Sequence, residues 1–243
     1  MFRSVLLLAM GVCVTAFIAS FCVVVAFACH ASENIIHRVA RLWGKIILKL
    51  GGVNVTVRGL ENIRTDGPQI FMSNHQSEID IFVCLASIPV QFRWIAKKEL
   101  YSIPVFGASM KKAGYIPIDR RNRAKALESL DEAAKKVQGG SSLMTFPEGT
   151  RSRDGSIGPF KKGIFYLAIQ SGVPIVPVSI IGARAIMAKY SFRIHPGQVL
   201  VIVGQPIDVR PYSIEKREEL MEKVRSVIIN NVTSGQTVRI EEK

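Results

Sequence analysis

The residues Asn74-His75-Gln76-Ser77-Glu78-Ile79-Asp80 hold the side chains best suited to proton chemistry. They follow an apolar, strand-like run (69–72) and lead into a helix-like run (81–85). A neutral imidazole at such a junction can take a proton from a hydroxyl. A carboxylate five residues on can fix its tautomer and stabilise the imidazolium that forms. No nucleophilic Ser or Cys is needed if the substrate supplies the hydroxyl. The spacing Ser77-x-x-Asp80 also reads as a capping box, with Asp80 serving the helix start. The pair alone does not choose between these roles, and the two are compatible.

Three further stretches could bind a ligand. In Phe146-Pro147-Glu148-Gly149-Thr150-Arg151-Ser152, with Lys161-Lys162 downstream, a loop after a strand could hold a phosphate between arginine and backbone N–H groups. The alternative is a charged turn in which Glu148 pairs with Arg151. In Gly114-Tyr115-Ile116-Pro117-Ile118-Asp119-Arg120-Arg121, a strand delivers one acid and two arginines at its C-terminal end, where ligands sit in open α/β sheets. The alternative is a strand end capped by solvated charge. In Val173-Pro174-Ile175-Val176-Pro177-Val178, two prolines at an apolar strand start suggest an edge or a shaped wall, and the stretch reads as structural, with an apolar channel as what it could line.

Other chemistries lack their signatures. There is neither a P-loop nor a dinucleotide-binding glycine fingerprint. His30, His37, His75 and His195 form no metal-ligand set, so no metal is expected. Three of the four cysteines lie in one apolar run, and they read as small buried residues in a reducing compartment.

The elements that must position these groups follow from patterning. At 243 residues the chain is one domain, or one domain with an appendage. Strands are predicted at 53–58, 69–73, 92–96, 115–118, 143–146, 175–180 and 199–203. Helices are predicted at 77–86, 104–112, 123–137, 163–171 and 213–230, with a short polar tail from 234. This alternation predicts an α/β fold: a largely parallel central sheet flanked by helices. Residues 1–50 read as an N-terminal two-helix membrane-attachment motif, and 51–243 as the main α/β domain.

Residues 4–29 carry no charge and could cross a bilayer core of about 30 Å. A cleaved signal peptide is the rival reading, since Ala26-Phe27-Ala28 fits a cleavage site. The apolar run exceeds the usual ~7–15 residues, which favours a retained anchor. A second helix (33–50) places Ile35, Val39, Leu42, Trp43, Ile46 and Leu50 on one face and Arg38, Arg41, Lys45 and Lys49 on another. That pattern suits a membrane interface or a helix packed on the main domain. The positive-inside rule puts the domain on the cytoplasmic side.

The chain has 32 basic and 19 acidic residues, a net charge of +13, which predicts an anionic partner. Sparse aromatics and the lack of a nucleic-acid signature argue against DNA or RNA.

In this order the four stretches resemble the glycerolipid acyltransferase family, most closely its bacterial 1-acyl-sn-glycerol-3-phosphate acyltransferases. The marks are Asn74-His75 to Asp80, Asp119-Arg120, the complete run 146–152, and 173–177. The resemblance covers about residues 50–210. It implies transfer of an acyl group from acyl-CoA or acyl carrier protein, as co-substrate, to the sn-2 hydroxyl of lysophosphatidate at an anionic membrane surface. The product is phosphatidate and no cofactor is required. His75 would be the general base and Asp80 its orienting partner. Glu148, Gly149 and Arg151 would bind the phosphoglycerol head, with Arg120 and Lys97 as further phosphate contacts. With the positive-inside reading, the expected location is the inner membrane, with the catalytic domain on the cytoplasmic side. The alternative within the family is another lysophospholipid or a lyso-aminolipid as acceptor, and Glu78 stands where an apolar or small residue is expected. Backbone N–H groups beside His75 are candidate oxyanion donors. A lipid-binding protein without turnover and a thioesterase are the readings from other classes.

Overall fold

The computed structural model describes residues 1–241. Helix α1 (Phe2–Ala28) carries no charge after Arg3, is largely apolar and is long enough to cross a membrane, at about 40 Å. It packs along α2 (Glu33–Gly51) and leaves Phe17, Phe21, Val24 and Phe27 exposed on its outer side. The indole N–H of Trp43 donates to Thr15 Oγ1 at 3.0 Å and ties the two helices together.

Helix α2 stops at Gly52, whose left-handed φ of 70° lets its N–H reach the carbonyls of Leu48 and Lys49. Its buried face is Ile36, His37, Gly44 and Leu48, turned away from the stripe expected at the interface, where Ile35 and Leu42 remain exposed. Gly44 permits the close approach. A Cβ there would lie 2.9 Å from Leu85 Cβ and 3.0 Å from the Phe82 carbonyl. The helix is therefore apolar on two sides: one packs on the domain and one faces outward.

Seven strands follow: β1 (Val53–Arg58), β2 (Ile70–Ser73), β3 (Phe92–Lys97), β4 (Ile116–Ile118), β5 (Ser142–Thr145), β6 (Ile175–Ile181) and β7 (Gly197–Val203). They form one sheet in the order β1-β7-β6-β2-β5-β3-β4. Neighbours run parallel except β6 and β7. The central strands β2, β5 and β6 are buried along their whole length, because helices cover both faces. On one face α5 (Arg123–Gln138), α6 (Lys162–Ser171) and α8 (Arg217–Glu241) pack through Leu130, Phe165 and Val224. On the other, α2 and α3 (Ile79–Ser87) pack through Leu48 and Val83. Helix α4 (Phe106–Lys112) lies against α1, and a single turn, α7 (Ala183–Ile186), precedes β7.

Two expectations are corrected. β6 is not an edge strand but lies between β7 and β2. Pro177 fits there because the ladder to β7 is interrupted: Ile175 bridges Ile207, regular pairing resumes at Val178 with Val203, and residues 176–177 face 204–206. The proline's missing N–H falls in that bulge, while its carbonyl accepts from Gly204 N at 2.8 Å. Residues 173–178 build the core and none lines the cavity described below. The expected polar tail is also helical through Glu241, since α8 continues past residue 230 and buries Val232. Residues 242–243 lie outside the described residues.

Candidate active site

His75 follows the C-terminal end of β2, where a parallel strand delivers its last residues to a surface crevice. Asn74 fixes that end. Its side-chain N donates to the Ile180 carbonyl at 2.9 Å, and its side-chain O accepts from Ile180 N at 2.8 Å. The imidazole then meets Asp80, in the first turn of α3, at 2.9 Å from Nδ1 to Oδ2. The same Oδ2 accepts from Gln76 N at 2.7 Å and Ser77 N at 2.8 Å. Asp80 is thus both helix cap and histidine partner. A carboxylate oxygen only accepts, so Nδ1 carries the ring proton and Nε2 keeps its lone pair.

The surroundings hold the ring in place. The His75 side chain is 14% exposed and that of Asp80 is 1% exposed. Phe146 stacks on the imidazole, and Trp94 lies against Phe146 with 5.3 Å between centroids. Ser77 is committed elsewhere: its hydroxyl donates to the Met187 carbonyl at 2.6 Å and accepts from Ile79 N at 3.1 Å.

His75 opens onto a cavity of about 560 Å³. Its mouth carries Lys97, Arg120, Arg151 and Lys189, with Gly149 beside them. Its walls are apolar and come from several elements, among them Ile18 and Cys22 of α1, Ile36 and Ala40 of α2, and Met110 of α4. The cations are held by neighbouring groups. Arg120 donates to the Gly149 carbonyl, Lys189 donates to the Arg151 carbonyl at 2.6 Å, and Arg151 pairs with Glu78.

Of the expected site residues, His75, Lys97, Arg120, Gly149 and Arg151 line one cavity, and Asp80 supports His75 from behind. Glu148 does not line it. It is buried, its Oε1 accepts from His75 N at 2.8 Å, and its Oε2 accepts from Gly158 N at 2.9 Å. Burial raises its pKa above the usual carboxylate range, partly offset by those two bonds. Glu148 is therefore placed to fix the backbone of His75.

The backbone N–H groups at His75, Gln76 and Ser77 all bond to carboxylates, which removes them as oxyanion donors. Asp119 closes the turn after β4, where Lys98 donates to it at 2.7 Å and holds its carboxyl below the ordinary range. Lys162 pairs with Glu218 away from the cavity. Sequence reasoning did not find the stacking of Phe146, or Lys189 and Tyr190 at the mouth. Phe146 stood inside a motif with no spacing to reveal its partner. The loop after α7 has no periodicity or motif to mark it.

Comparison with known proteins adds to this geometry. The family model described as Acyltransferase matches residues 54–181. The chain is 35% identical over 204 residues to a 1-acyl-sn-glycerol-3-phosphate acyltransferase of Limnanthes douglasii, covering 82% of this chain and 72% of that protein. It is 39% identical over 173 residues to a chloroplastic protein of the same description from Brassica napus, covering 70% of this chain and half of that longer one. The crystal structure of the 1-acyl-sn-glycerophosphate (LPA) acyltransferase PlsC from Thermotoga maritima superposes with a TM-score of 0.80 at 29% identity, covering 96% of this chain and 98% of that one.

Proposed function

The chain belongs to the acyltransferase family, and from that premise we propose that it acylates the sn-2 hydroxyl of lysophosphatidate to give phosphatidate. The observation that carries this reading is the bond from His75 Nδ1 to Asp80 at the rim of a cavity with a cationic mouth and apolar walls. The substrates named for the relatives need those features: a proton acceptor for the hydroxyl, fixed cations for the phosphate, and an apolar space for a hydrocarbon chain.

The step balances as follows. His75 Nε2 takes the proton of the acceptor hydroxyl as its oxygen attacks the thioester carbonyl carbon. The tetrahedral intermediate collapses, the C–S bond breaks, and the imidazolium returns the proton to the departing thiolate. Asp80 stabilises the imidazolium between these events. Arg151, Arg120 and Lys97 hold the phosphate. Gly149, with a φ of 72°, turns the loop that brings Arg151 to the mouth. The thioester is acyl-CoA or an acylated carrier protein, both anionic and matched to a chain of net charge +13.

The chain attaches to the membrane through α1 and works from the cytoplasmic side, in keeping with the basic residues of α2. Retention of α1 is supported by its part in the cavity wall, which a cleaved leader would not supply.

The test uses the full chain in detergent with labelled acyl donor and lysophosphatidate. Phosphatidate should form, and His75→Ala should lose about 10²–10⁴-fold of the rate. Undiminished turnover by a folded His75→Ala protein would refute the assignment. Release of free fatty acid without acceptor would make the protein a thioesterase instead.

A further inference from the structure

Four cations and one acid meet at the mouth of the cavity. Among the described residues, Glu78 is the only acidic side chain that lines it. Its Oε1 pairs with Arg151, and its Oε2 is buried without a partner. The position is fixed by the fold, because Glu78 immediately precedes α3, two residues before Asp80. Lys189 and Arg120 direct donors at backbone carbonyls, and Lys97 faces Glu99, which lies outside the cavity lining. Arg151 is therefore the mouth cation whose charge a cavity-lining carboxylate neutralises.

We propose that Glu78 is an acceptor-affinity residue: a built-in counter-anion that occupies Arg151 and must yield it to the phosphate of the incoming lipid. This rests on the reading of the mouth as a phosphate site. A phosphomonoester brings a charge of about −1.5 to −2 at neutral pH. Two anions at one guanidinium repel, so phosphate and carboxylate compete for Arg151. The side chain of Glu78 is 41% exposed and that of Arg151 is 23% exposed, so the carboxylate is the partner with more freedom to swing into water.

The competition acts alike on substrate and product, which share the same phosphate. It weakens both and leaves the chemical step alone. Glu78 then keeps the acceptor's KM high and helps the product to leave.

The experiment compares the full-length wild-type chain with Glu78→Gln in detergent, by calorimetric titration with sn-glycerol 3-phosphate. The substitution keeps the shape and removes the charge. The expected result is binding about fivefold tighter in Glu78→Gln, the scale of a partly exposed ion pair. The KM for lysophosphatidate should fall by a similar factor, and kcat should not rise. Glu78→Asp, with its carboxylate drawn back by one methylene, should fall between the two.

Equal or weaker binding by Glu78→Gln would overturn the proposal, because Glu78 would then only orient Arg151. Absence of binding by both proteins would overturn it too. Turnover of lysophosphatidate by the wild-type chain is a separate reading. Its loss with a preserved affinity ratio would sink the proposed reaction and leave Glu78 as a guard of an anion site.

Discussion

The imidazole of His75 and the ring of Phe146 lie face to face, 3.9 Å between centroids and 8° from parallel. One side chain thus limits how far the imidazole can tilt, while Asp80 limits how it can rotate. Phe146→Leu keeps apolar bulk but removes the flat face. It should lower kcat by about ten- to a hundredfold through a small displacement of the base, with little change in the acceptor's KM. Steady-state kinetics on both substrates checks this.

Asp80→Asn should be the more severe change. The amide oxygen can still accept from Gln76 N and Ser77 N, so the turn has a means to survive. An amide cannot stabilise the imidazolium, and it permits the wrong tautomer. A loss of about 10³–10⁴ in kcat is expected, as in other histidine–carboxylate pairs. A melting curve close to wild type would separate this effect from unfolding.

Asn74 does not line the cavity, yet it joins the end of β2 to β6 through both polar atoms of its side chain. Asn74→Ala leaves the Ile180 N–H and carbonyl buried without those partners. The cost should be on the order of 3 kcal/mol. Chemical denaturation measures it, and the surviving folded fraction should show a reduced kcat, because the same strand end carries His75.

His37 provides a pH signature of stability. It is fully buried on α2, with Nδ1 3.0 Å from the Tyr115 hydroxyl and its ring edge-on to Phe92. Burial, and then the charges of Arg93 and Arg41, push its pKa from 6.5 down to about 3. The folded state therefore binds this proton less readily than the unfolded one. The sign follows: the contribution is intact above pH 6.5 and is lost as pH falls towards 3, at about 1.4 kcal/mol per pH unit. His37→Phe should flatten that part of the profile. Denaturation midpoints across pH 3–7 for both proteins decide it, and parallel profiles would contradict the assignment.

Much of this architecture is readable from residue order. Strands and helices alternate because parallel strands need crossovers, and Val, Ile and Phe runs bounded by Gly, Pro and charge mark them. The pairing of His75 with Asp80 was readable because their five-residue spacing matches a strand-to-helix turn. What escaped depends on contacts distant in sequence. Pro177 suggested an edge, because nothing local announces the bulge opposite residues 204–206. Glu148 sits in a motif rich in cations and looked like a ligand residue. Only the fold shows both its oxygens on backbone N–H groups 73 and 10 residues away. The residues from 234 read as a short polar tail after a helix ending near 230, but α8 carries them on as helix through Glu241.

Helix α1 is at once the most lipid-like part of the chain and part of the wall of its cavity, through Thr15, Ile18, Ala19 and Cys22. Solubility and a complete site are thereby set against each other. Trimming the chain to the residues after α2 would remove the greasiest segment and also breach the chamber beside His75. An inhibitor that wedged α1 away from α4 would act without approaching His75, by opening the apolar part of the cavity to water.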